Sequence, residues 1–92
     1  MLYVLHMIDK PGVLDKRMAA LPAHREYLER APIEVVMSGP LQAEDGETIV
    51  GSLYLVEVGK RADIDAFLAE DPLANAGVWD RVDINRFHRR VG

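Results

Sequence analysis

The order of hydropathy patterns along the chain predicts an α+β fold: a ferredoxin-like split βαβ unit with a four-stranded antiparallel sheet and helices on one face. Two observations carry this. Apolar segments follow the order strand, helix, strand, strand, helix, strand, and the middle pair of strands is joined by Asp45-Gly46, the strongest hairpin turn signal in the chain. A third observation concerns the sheet itself. A sheet wet on one side should alternate between apolar and polar residues, yet the first and third strands are apolar on both faces. Leu2, Val4 and Ile8 oppose Tyr3, Leu5 and Met7; Ile49, Leu53 and Leu55 oppose Val50, Tyr54, Val56 and Val58.

Each element has a local reason. Leu2 to Ile8 is an apolar run broken only by His6 and closed by Asp9-Lys10-Pro11-Gly12, as expected of a buried strand and a turn. From Val13 to Ala31 the spacing becomes helical, with Leu14, Met18, Leu21 and Leu28 on one stripe and Val13, Ala20 and Tyr27 beside it. Pro22 lacks an amide donor, which predicts a kink or two consecutive helical pieces, and Pro32 ends the segment. Ile33 to Ala43 reads as the second strand, with a bulge or bend at Gly39-Pro40. Thr48 to Val58 is the returning strand, and Lys60 to Glu70 is a helix carrying Ile64, Phe67 and Leu68. Asp71-Pro72 provides an acidic N-cap with proline at the first helical position, so a short turn follows to Gly77. Val78 to Phe87 closes the sheet.

A chain of 92 residues makes one domain spanning residues 1–92. Ala, Val, Ile, Leu, Met, Phe, Trp and Gly supply 49 of those residues, an apolar load that a small core does not easily hide. Its location on both faces of one sheet predicts a homodimer, a second copy packed sheet to sheet about a two-fold axis. No apolar run approaches the length that spans a bilayer, and no membrane partner is expected. The start, MLYVLHMIDK, has neither the basic region nor the cleavage site of a secretory signal, which makes the cytoplasm the expected compartment. Eleven basic residues against fifteen acidic give a net charge of −4, which argues against a nucleic-acid partner; the basic tail from Arg86 to Arg90 reads as a solvated chain end. With no cysteine there is neither a thiol nucleophile nor a disulfide.

Few residues remain for chemistry. His24 lies three residues after Leu21 and four before Leu28, on the apolar stripe. That position fits a core histidine bonded to backbone, and it equally fits a general acid/base at a partly buried site. Asp71 is explained as an N-cap, and would orient His24 if the short turn approached the first helix. Ser38-Gly39-Pro40 and Gly51-Ser52 are strand positions where a ligand or another backbone can come close, or where a bulge sits. Arg17 and Arg25 read as solvated; the alternative is that either meets an anionic substrate at a pocket rim. No histidine or carboxylate recurs at a metal-ligand spacing and no phosphate-binding glycine loop is present, so neither metal nor cofactor is expected.

Taken together, LYVLHMIDKPG, LPAHREYLERA, MSGPL, DGETIVGSLYLVEV and FLAEDPLANAGVWDRVDINRF resemble the YCII (YciI-like) family in order and spacing across nearly the whole chain. The resemblance implies a dimeric α+β barrel and a pocket between the sheet and the first helix lined by a His–Asp pair. Those residues match His24 and Asp71, and Ser38 and Ser52 match small polar positions near the same pocket. Membership of such a family names no reaction; the leading expectation from the pair is an enzyme that uses it, without a cofactor, for proton transfer on a small organic substrate, as an isomerase or lyase. The alternative is a non-catalytic metabolite-binding or regulatory dimer.

Overall fold

The computed structural model describes residues 1–92. The chain runs β1 (Leu2–Asp9), α1 (Leu14–Glu29), β2 (Glu34–Gln42), β3 (Ile49–Glu57), α2 (Arg61–Ala69), α3 (Pro72–Asn75) and β4 (Trp79–Arg86). The strands pair antiparallel in the order β2-β3-β1-β4. This is the ferredoxin-like α+β arrangement, and the reason lies in the punctuation. Gly12 takes φ 71° directly before α1, and Gly46 takes φ 72° in the hairpin, a conformation open to glycine at little cost. The Asp45 carboxylate closes the same hairpin by accepting from the amides of Glu47 and Thr48 and from the Thr48 hydroxyl. Those three bonds, led by the hydroxyl, hold Asp45 down at about 2.

One face of the sheet meets the helices. Tyr3, Leu5 and Met7 of β1 and Tyr54 and Val56 of β3 pack with Ile64 and Phe67 of α2, and Tyr27 and Leu28 of α1 close over them. Phe67, Ile64, Leu5, Met7 and Val56 have no exposed surface; burying side chains of this kind contributes about 1.5–3 kcal/mol each relative to exposure. A smaller cluster of Val13, Leu73 and Val78 fastens α3 beside it. The period of two then directs Val4, His6 and Ile8 of β1 and Leu53 and Leu55 of β3 to the opposite face. Met37, which pairs with Leu55, joins them from the edge strand and is 57% exposed. The sheet is apolar on both sides, as its strands predict.

Three local expectations are corrected. Of the kink or two helical pieces that Pro22 predicts, the two pieces are not found: residues 14–29 form one helix with Pro22 inside it. The missing donor of Pro22 orphans the Met18 carbonyl, but both residues lie on the exposed side of α1, where water can serve it. Gly39 and Pro40 pair regularly with Leu53 and Ser52; the register shifts fall between Val35 and Met37 and between Leu41 and Gln42. Pro40 is tolerated there because β2 is an edge strand. Finally, the buried stripe of α1 is turned by one residue from its apolar spacing. Arg17 and His24 are the buried residues, whereas Leu14 is 56% and Met18 50% exposed. Arg17 is therefore not solvated: it has three polar acceptors waiting for it below the helix.

Candidate functional site

α1 lies across the sheet so that Arg17 and His24, seven residues and two turns apart, both point down toward β3. Tyr27 helps to fix this placement by donating its hydroxyl to the Phe67 carbonyl at 2.7 Å. Burial, then the charges of Asp71 and Glu70, raise that phenol above its ordinary value.

Around His24 the structure brings together residues far apart in the chain. Asp71, fully buried, caps α3 by accepting from the Leu73 amide at 2.9 Å. The same oxygen, Oδ1, lies 3.1 Å from Nδ1 of His24. Its other oxygen accepts from the Tyr54 hydroxyl at 2.9 Å. Cap and histidine partner are thus one carboxylate, and neither of the two readings of Asp71 displaces the other. Because an ionised carboxylate only accepts, Nδ1 carries the ring hydrogen facing it. Nε2 has no partner within the chain and is not sealed from solvent. Tyr54 stays protonated: burial first, then the Asp71 charge and hydrogen bond, push its phenol far above the ordinary value.

Arg17 anchors a second cluster. Its side chain is 3% exposed and reaches Asp9 through Nε at 2.8 Å and Nη2 at 2.9 Å; Nη2 also donates to the Gly51 carbonyl at 3.1 Å and to Ser52 Oγ at 2.7 Å. Gly51 is where backbone comes close to backbone: a Cβ there would collide with the Met7 carbonyl oxygen and press on Leu41. Nothing lies within 4 Å of a Cβ built on Gly39, so no such approach explains that glycine.

Between the clusters lies a cavity of about 240 Å³. His24, Arg17, Arg25, Ser38 and Ser52 give it polar atoms, and Met18, Leu21, Pro40 and the Tyr54 ring form much of its apolar wall. All three of His24, Ser38 and Ser52 therefore meet in one space, with Asp71 directly behind the histidine. Asp9 and Tyr54 are not among the residues the sequence points to, and Arg17 enters there only through its alternative, a place at a pocket rim. Tyr54 was hidden within an apolar strand and Asp9 within a turn; Arg17 carried a signal, because seven residues before His24 is the same face of a helix.

The chain matches the YCII-related domain over residues 1–88. It is 30% identical to Protein YciI of Escherichia coli O6:H1 over 96 aligned residues, covering 97% of this chain and 98% of that one. Among solved structures it is similar to 5-chloro-2-hydroxyhydroquinone dehydrochlorinase of Burkholderia phenoliruptrix, seen in complex with 2,5-dihydroxybenzoquinone. That likeness has a TM-score of 0.87 at 26% identity and covers 98% of this chain and 96% of that one. A dimeric ferredoxin-like protein of unknown function from Jannaschia shares the fold, with a TM-score of 0.54 at 17% identity over 94% of this chain and 98% of that one.

Proposed function

This chain belongs to the family of YCII-related domains, and from that membership and the geometry around His24 we propose an enzyme that moves protons on a small organic substrate, as an isomerase or lyase. His24 is the general acid/base. Its Nε2 takes a proton from the substrate and returns it to substrate or leaving group, while Asp71 holds the ring in the tautomer that leaves Nε2 bare and stabilises the imidazolium that forms. Ser38 and Ser52 are the polar groups that orient the substrate. The chemistry runs on the chain's own side chains and asks for no cofactor.

The observation that carries this reading is the acceptor-only carboxylate behind Nδ1 combined with a partnerless Nε2 on a cavity. A core histidine held for packing has no need of an accessible ring nitrogen. Likeness to a dehydrochlorinase supports the same chemistry, since removing HCl from a ring begins with or requires a proton transfer. The cavity is larger than the ~150 Å³ that houses benzene and smaller than the ~300–1,000 Å³ of drug-sized ligands.

The test is hydrogen–deuterium exchange at carbon. Single-ring hydroxy and oxo compounds, 5-chloro-2-hydroxyhydroquinone among them, are incubated in D₂O with the protein and followed by NMR. Wild type is expected to accelerate exchange or elimination, and His24→Ala to lose about 10²–10⁴-fold of that rate. Equal rates for the two proteins remove His24 from the chemistry. Tight binding without any exchange favours the metabolite-binding alternative.

We also propose that the open face of the sheet seats a second copy of the chain. The apolar residues Val4, Ile8, Met37, Leu53 and Leu55 share it, and the isolated chain exposes 5888 Å² against roughly 5,300 Å² for a compact monomer of its mass. Sedimentation at micromolar concentration is expected to return twice the chain mass; a 10.3 kDa species refutes the dimer.

A further inference from the structure

The cavity beside His24 differs in charge from the rest of the molecule. The chain is acidic overall, with fifteen carboxylate side chains and eleven basic ones. Yet none of the twelve residues lining the cavity is a carboxylate, and three of them are Arg17, Arg25 and His24. Arg25 sits on the exposed side of α1, but Arg17 is buried.

The hydrogen bonds of Arg17 divide unevenly. Nε and Nη2 make four contacts to Asp9, Ser52 and the Gly51 carbonyl. Nη1 makes none within the chain, and it is not sealed from solvent. A guanidinium present only to tie β1 to β3 would direct its remaining donors to protein acceptors. Here Nη1 is left without a protein acceptor, on a residue that lines the cavity. Ser52 reinforces the arrangement: its oxygen accepts from Nη2, which leaves its own hydroxyl hydrogen to donate.

We propose that Arg17 is an anion-binding residue of this cavity, and that the ligand is a single-ring-sized molecule bearing one negatively charged oxygen, as carboxylate, enolate or phenolate. The charged oxygen takes hydrogen bonds from Arg17 Nη1 and the Ser52 hydroxyl, and the rest of the molecule extends toward His24. This rests on the reading of the cavity as a small-molecule site and adds the substrate's charge to it. Two physical points support it. The guanidinium is already held by four contacts, so little ordering is lost when a ligand arrives. The axial separation of Arg17 and His24 on α1 is about 10.5 Å, with both side chains turned into the same space, which a substituted ring can bridge. The Arg17 guanidinium would also stabilise the negative charge that reaches a ligand oxygen when a proton leaves the neighbouring carbon.

The experiment compares three probes by NMR titration of the ¹⁵N-labelled protein: benzoate, 4-nitrophenol above its ionisation point, and neutral benzamide. At least one anion is expected to bind at least tenfold more tightly than benzamide and to shift the Arg17 Nε–H and Ser52 amide signals. Benzoate preference identifies a carboxylate site, and nitrophenolate preference a phenolate or enolate site. Ser52→Ala, which leaves the Asp9–Arg17 pair intact, is expected to weaken the preferred anion several-fold, and a folded Arg17→Gln to abolish the preference. If neither anion outbinds benzamide, or the preference survives in Arg17→Gln, the assignment is wrong. His24→Ala keeps the anion preference under this proposal, whereas its loss of exchange chemistry reports on the proposed function alone.

Discussion

Two polar clusters are buried under the same helix, and they are built for different work. At the N-terminal half of α1, Arg17 meets Asp9 and Ser52. Two turns later, His24 meets Asp71, which Tyr54 and the Leu73 amide hold from the other sides. The first pairs a permanent cation with a carboxylate; a guanidinium does not deprotonate in proteins. The second pairs a carboxylate with an imidazole, whose two ring nitrogens can each donate or accept. The difference is between a group that can only hold charge and a group that can transfer it. Both line one cavity, and under the proposals above a ligand there meets a guanidinium at one end and an imidazole at the other.

That contrast breaks most severely at Asp9. Asp9→Ala leaves a buried guanidinium without its counter-charge, and removing one partner of such a pair costs about 3–5 kcal/mol. Chemical denaturation checks this; a loss below about 1 kcal/mol would show that Arg17 finds enough solvent to do without Asp9. A smaller effect is expected in the other cluster. Tyr54→Phe leaves one buried oxygen of Asp71 without a donor, at a cost of about 1–3 kcal/mol, and the His24 exchange rate reports whether the carboxylate still holds the ring.

The smallest effect is in pH. The Tyr54 phenol is raised above its ordinary value, first by burial and then by Asp71. A group whose folded value is raised stabilises the fold fully below its unfolded value and loses that contribution as pH rises through about 10 and beyond. The stability gap between wild type and Tyr54→Phe is therefore expected to narrow in alkali, as read from denaturation midpoints at successive pH values. A gap constant from neutral to strongly alkaline pH would mean that the phenol is not linked to folding.

The element order was legible because turn residues stand at every boundary and the apolar periods on either side differ. Asp9-Lys10-Pro11-Gly12, Asp45-Gly46 and Asp71-Pro72 each mark a place where only a few backbone conformations fit. His24 was legible for the same local reason, since a histidine in phase with an apolar stripe faces inward. The apolar spacing of α1 points one residue away from its buried face: it places Leu14 and Met18 inside and Arg17 outside, whereas Arg17 is buried and the two apolar residues are half-exposed. Apolar spacing reports the cost of exposing carbon; it is blind to a carboxylate and a carbonyl waiting under the helix.

What the sequence determined alone is everything that depends on neighbours in the chain: strands with two apolar faces, the hairpin at Asp45-Gly46, the Asp71 cap and the inward phase of His24. The tertiary structure decided which of these residues meet. Asp71 and His24 are separated by 47 positions and Arg17 and Ser52 by 35, and both meetings depend on where the crossovers lay α1 and α3 over the sheet. A cap can be read from two residues, because its geometry is local. A buried charge pair cannot, because the cost of burying each ion is cancelled only by a partner that the fold brings to it.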